Sequence, residues 1–165
     1  MNHKDIHQLQ YLTDELVKLP KENEWVEFKT NNDDPKMIGS AISALANSAA
    51  LLGKLSAYMI WGVEDVSHKI VGSTFKPSTT KHNQQELESW LLQKLEPKID
   101  FHFWEFEYQG FALVLLEIQA AIHKPVRFDG TEYIRIGSYT KNCVIFQKKS
   151  ENYGVFWIVF LLKDK

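Results

Sequence analysis

Apolar residues recur at helical spacing between positions 4 and 18, where Ile6, Leu9, Leu12, Leu16 and Val17 form one stripe that Pro20 stops, so an amphipathic first helix is predicted. The period then changes. In Trp25-Val-Glu-Phe-Lys29, Val26 and Phe28 point one way and Trp25, Glu27 and Lys29 the other, the pattern of a short strand carrying a carboxylate. Asp34-Pro35 reads as an N-cap followed by proline at the first helical position, and Ile38, Ile42, Leu45, Ala49 and Leu52 carry a helical stripe as far as Gly53. Small residues fill the middle of this second helix, which lets it lie close to a sheet.

The bulky apolar run 55–63 predicts a buried central strand ending at Gly62-Val-Glu-Asp65, with a short strand, Ile70-Val71, after a turn. Residues 83–95 place Leu87, Trp90, Leu91 and Leu95 on one side before Pro97, which predicts a third helix. Two hairpins follow: 101–108 with 111–119 across Gln109-Gly110, and 126–128 with 131–136 across Asp129-Gly130, the strongest two-residue turn signal in the chain. Helices and strands mix without a regular strand-helix-strand repeat. The expected fold is α+β: a single domain with a mixed β-sheet and packed helices.

A length of 165 residues suits one domain, and 44% hydrophobic with 13% aromatic residues excludes a disordered tail. Charge narrows the partners. Nineteen basic residues stand against 21 acidic ones, and the only arginines are Arg127 and Arg135, so a grip on nucleic acid requires charges to be segregated on the folded surface. The lone Cys143 cannot form an internal disulfide and no secretory signal pattern opens the chain, so a cytoplasmic location is expected. The longest apolar run, 155–162, falls well short of the roughly 20 residues of a membrane-spanning helix, and no membrane partner is expected.

Three carboxylates draw attention. Glu27 sits on a predicted strand, Glu22 just before it, and Asp65 just past another strand; if the strands are neighbours, the three converge and suit a hard cation such as Mg²⁺ or Mn²⁺, which would activate water against a phosphodiester. Ordinary solvated carboxylates give the same spacing. Glu64 and Asp65 point to opposite faces of an extended strand, so only one of them can join Glu27. Asn47, inside the small-residue helix, is expected to satisfy its amide on a nearby carbonyl. Gly53-Lys54 is followed by Leu55 rather than Ser or Thr, so no ATP site is expected, and neither a serine-hydrolase elbow nor a zinc spacing is present.

Local positive charge gathers in His123-Lys-Pro-Val-Arg127 and Tyr133-Ile-Arg-Ile-Gly-Ser-Tyr-Thr-Lys141. On a hairpin Tyr133 and Arg135 share a face, which suits phosphate or base contact; a solvated edge hairpin with paired arginines fits equally.

Taken in order, Glu22-x4-Glu27-Phe28-Lys29, Ile42-Ser-Ala-Leu-Ala-Asn47, Trp61-Gly-Val-Glu-Asp65, Val71-Gly72 and Tyr133-Ile-Arg-Ile-Gly-Ser138 resemble the AlbA-like domain shared by Schlafen proteins and many bacterial predicted transcriptional regulators. The resemblance spans about residues 10–141. It implies a nucleic-acid-binding domain at 21–141, preceded by the helix within 1–20 and followed by an atypical apolar extension of the same domain at 142–165. In Schlafens that cleave tRNA and rRNA, the family's acidic trio falls where Glu22, Glu27 and Asp65 stand, which selects Asp65 over Glu64. The chain departs from the family in lacking the Gly-Gly after Asn47-Ser48, in having one lobe where the nucleases have two, and in its apolar tail.

Three functions follow as expectations. The first is a nucleic-acid-binding domain of a transcriptional-regulator type, contacting DNA or RNA through Lys29, Arg127, Tyr133, Arg135 and Lys141. The second is a divalent-metal-dependent endoribonuclease with Glu22, Glu27 and Asp65 as ligands. The third is a dimerisation module built on the tail; a homodimer would also supply the missing second wall.

Overall fold

The computed structural model describes residues 3–20, 23–152 and 154–162. Helix α1 spans Ile6–Val17 and opens with a reciprocal cap: the Asp5 carboxylate accepts from the Gln8 backbone N–H at 2.9 Å, while the Gln8 side chain accepts from the Asp5 N–H at 3.0 Å. Strand β1 is Val26–Lys29, helix α2 Pro35–Leu51 and strand β2 Ser56–Trp61. The short strands β3 (Lys81–His82) and β4 (Gln85–Glu86) precede helix α3 (Leu87–Lys94) and strand β5 (Leu95–Glu96). The long hairpin β6 (Phe101–Tyr108) and β7 (Phe111–Gln119) follows, then β8 (Arg127–Phe128), β9 (Thr131–Ile136), β10 (Tyr139–Ser150) and β11 (Gly154–Leu161).

Two sheets enclose α2. The first has the order β1-β2-β7-β6, with β1 and β2 parallel and the rest antiparallel; the second is antiparallel, β11-β10-β9-β8-β5. On the first sheet, Val26, Phe28, Ile60 and Leu115 face α1 through Leu9 and Leu16, whereas Met59, Trp61, Val114 and Leu116 face α2. The far side of α2 packs on Val126, just before the second sheet's β8, and on Phe128 within it. A helix buried on both sides is apolar all round and approaches its neighbours where its residues are small. Its small residues allow that approach: a Cβ on Gly39 would stand 2.1 Å from the Phe128 ring.

The mixed α+β architecture and both long hairpins agree with the expectations from sequence. Two details differ. The helix expected at 83–95 begins only at Leu87, because Asn83 and Gln84 take positive φ (49° and 63°) and make the two-residue turn of the β3–β4 hairpin. Ile70-Val71 forms no strand, only a bridge from Ile70 to Val63, since the Val71 and Gly72 N–H groups both donate to the Gly62 carbonyl (2.8 and 3.0 Å). Gly62 has φ +101° there, and a Cβ would meet the Leu113 side chain at 2.3 Å. The apolar tail is an ordered hairpin, with Trp157 and Val159 packing on Ile134, Cys143 and Ile145.

Candidate carboxylate site and nucleic-acid interface

The parallel pairing of β1 with β2 places Glu27 opposite Met59, on the face turned to α2. Burying a carboxylate there demands cationic partners. Glu27 is 9% exposed; its Oε1 lies 2.9 Å from Lys29 Nζ and its Oε2 3.0 Å from Arg135 Nη1. The Nη1–Oε2 contact is an ion pair whose angle is not that of a hydrogen bond. Arg135 is 3% exposed, and its Nε and Nη2 donate to the Asn23 carbonyl at 3.2 and 3.0 Å. This guanidinium ties the edge of the first sheet to β9 of the second.

Side chains of α2 align β9 for that contact. The Asn47 amide nitrogen donates to the Val126 and Tyr133 carbonyls (3.0 and 2.9 Å), and its oxygen accepts from the Val126 N–H at 2.8 Å. Ser43 donates to the Val126 carbonyl at 2.7 Å and accepts from the Tyr133 N–H at 3.2 Å, while Ser48 accepts from the Arg135 N–H at 3.0 Å. Asn47 thus does what was expected of it, on two carbonyls rather than one.

The expected shared face of Tyr133 and Arg135 exists, but it is turned inward by these bonds. Tyr133 is half-buried against the main core and Arg135 is enclosed, so that face presents no guanidinium to solvent. Lys29 pairs with Glu27. Arg127 keeps a half-exposed side chain and donates from Nε to Glu132 Oε1 at 3.1 Å. Lys141 lies on β10 opposite Ile134. Of the five expected contacts, Lys29 and Arg135 come together around Glu27; the other three are dispersed.

Glu22 lies outside the described residues, and Asp65 is exposed in the turn after β2. Among the described residues no three His, Cys, Asp or Glu side chains form a metal-binding group. Both Glu27 oxygens are already held by cations, so this arrangement does not fit a divalent ion at Glu27 unless Lys29 and Arg135 withdraw.

A second cluster is legible in the sequence only in part, through His123, Lys124 and Arg127. The connection from the first sheet to the second, 120–127, borders two adjoining grooves of about 950 and 310 Å³ that share Gln119, Ile122, His123 and Lys124. Lys54 completes the larger groove and Lys98 the smaller, and no carboxylate lines either. The Lys54 ammonium stands 4.6 Å from the Trp25 ring centroid, and Lys98 donates to the Leu92 carbonyl and, at 3.1 Å, to that of Leu95. Arg127 lies just beyond, in a groove it shares with Lys124. These cations come from the turn after α2, the segment after β5 and the connection leading to β8, so no single sequence window carried all of them.

Burial and the adjacent Glu132 carboxylate push the Cys143 thiol up to about 12. Burial and then the hydrogen bond to Asp14 push the Tyr108 phenol up to about 12. No described helix is long and apolar enough to cross a membrane.

The family model described as Schlafen, AlbA_2 matches residues 22–144. Comparison with curated proteins gives no match. Among solved structures, the chain is similar to the DIP2311 protein from Corynebacterium diphtheriae (TM-score 0.53, 12% identity), covering 82% of this chain and only 26% of that one. It is also similar to the N-terminal domain of a protein from Nitrosomonas europaea named as related to the ATP-dependent DNA helicase RecG (TM-score 0.51, 24% identity), over 82% of this chain and 92% of that domain.

Proposed function

From the premise that this chain belongs to the Schlafen, AlbA_2 family, we propose that it is a nucleic-acid-binding domain of a regulator-type protein, gripping the phosphate backbone along Lys54, Lys98, His123 and Lys124, with Arg127 at the end of the strip. The observation that carries this reading is charge segregation: in a chain of net charge −2, two adjoining grooves are lined by cations and by no carboxylate. Exposed Leu55 and Ile122 beside the lysines offer apolar contact to sugars and bases. The helicase-related name of the Nitrosomonas protein agrees with a nucleic-acid role and lends this chain no helicase activity. Tyr133 and Lys29 do not line the strip and are assigned to the fold.

Fluorescence anisotropy with single- and double-stranded DNA and RNA at low salt tests this. Binding should weaken steeply with salt, and Lys54→Glu with Lys124→Glu should abolish it without shifting the thermal midpoint. Absence of wild-type binding at low salt would sink the proposal; unchanged affinity in the double variant would remove the strip from it.

A further inference from the structure

The edges of the two main sheets are protected unequally. Strand β1 is four residues long and carries Glu27 and Lys29; β6 carries His102, Glu105 and Glu107; β5 is two residues long and is followed by Pro97. Shortness, charge and proline are the devices by which an edge strand resists pairing. Strand β11 has none of them. It runs eight residues, and between Gly154 and Leu162 the chain has no charged residue and no proline.

β11 is paired along its whole length with β10, and no described strand lies on its other side. Alternate residues therefore direct N–H and C=O groups to an open edge. Its side chains add apolar surface: Phe160 is 56% exposed and stands 5.9 Å from the exposed Phe146 ring, edge to face. The family match ends at residue 144, so β11 lies outside the matched residues.

We propose that β11 pairs antiparallel with β11 of a second copy of this chain across a twofold axis. Strand chemistry at the edge selects a strand as the occupant, and the lack of charge selects this strand: a foreign partner finds no cation or anion to recognise, whereas self-pairing sets apolar residues against their like with no charge repulsion. A twofold arrangement also satisfies both open edges at once and closes the assembly at two copies. Full pairing supplies about eight backbone hydrogen bonds and joins the two five-stranded sheets into one. Val155 and Trp157 of β11 also line the larger basic groove, so the grooves of the two copies flank the shared seam.

The test is light scattering on the full chain without nucleic acid, so its outcome is independent of the binding proposal. The expected mass is twice the 19.2 kDa of the chain. Phe160→Lys and, separately, Ile158→Lys should return it to a monomer, while Val66→Lys, at a residue 64% exposed in the turn after β2, should leave the dimer intact. Hydrogen exchange on the unaltered protein gives a check that needs no variant: protection of β11 amides should rise with protein concentration in step with the mass. A monomer at all micromolar concentrations, growth of mass beyond two copies, a dimer whose β11 amides stay unprotected, or a dimer broken by Val66→Lys and untouched by Phe160→Lys would each overturn the proposal.

Discussion

The only two arginines of this chain lie eight residues apart in sequence, and their surroundings are opposite. Arg135 is enclosed, pairs with Glu27 and donates to the Asn23 carbonyl. Arg127 meets one carboxylate oxygen of Glu132 with a side chain 56% exposed, beside Lys124. The first joins the two sheets; the second stays within reach of a polymer. The comparison teaches that a cation in a basic-looking hairpin acquires its role from the layer beneath its strand. Where β9 lies on α2, the guanidinium is drawn into the joint; where β8 meets the open connection, it stays at the surface.

The largest effect expected at the joint comes from Arg135→Ala, which leaves the Glu27 carboxylate buried with Lys29 alone. Removing one partner of a buried pair costs about 3–5 kcal/mol, and urea unfolding should read that loss. The double change Arg135→Met with Glu27→Met should recover much of it; a simple sum of the two single losses would show that the two side chains do not act as a pair. Asn47→Ala comes next. It strips the Val126 N–H and the Tyr133 carbonyl of their Asn47 partner and leaves the Val126 carbonyl to Ser43 alone, for roughly 2–4 kcal/mol in the same assay.

At the surface the same measurement should hardly move. Arg127→Ala and Lys124→Ala should each stay within about 1 kcal/mol of the unaltered protein. They should instead reduce the salt dependence of duplex binding, by about 0.9 in log–log slope for each lost phosphate contact. If Arg127→Ala unfolds the protein while Arg135→Ala spares it, the comparison is broken.

The smallest effect sharpens the boundary between the two regions at Cys143, which shares the Glu132 carboxylate's neighbourhood. Its folded-state value, about 12, lies above the ordinary thiol value of 9.0, so the neutral thiol is favoured in the fold. The associated stability is fully present below pH 9 and is lost as pH rises towards 12. Thiol labelling at pH 8 should accordingly be slow until denaturant opens the fold. Fast labelling under native conditions would show that the β9–β10 packing opens locally.

Much of the fold was legible along the chain. The stripe of α1, the Asp34-Pro35 start of α2, the alternation of β1 and the Gln109-Gly110 and Asp129-Gly130 turns all depend on neighbours within a few residues, and local chemistry suffices to read them. Asn83-Gln84 escaped because its turn needs positive φ without glycine, which side-chain periodicity does not report. The candidate site was less legible. Glu27 was noticed as an acid on a strand, but its partner stands 108 positions later. The basic strip joins residues 54, 98 and 123–124, which no local pattern connects.

The sequence by itself determined the helical and strand periods, the α+β class and the family resemblance, because periodicity, caps and turn chemistry are short-range properties of the chain. Tertiary structure alone decided what each charge is for. Whether a carboxylate or a guanidinium is solvated, paired or left at a rim depends on which layers close over it, and α2, held between two sheets, closes over Glu27 and Arg135 while leaving Lys54, Lys124 and Arg127 outside.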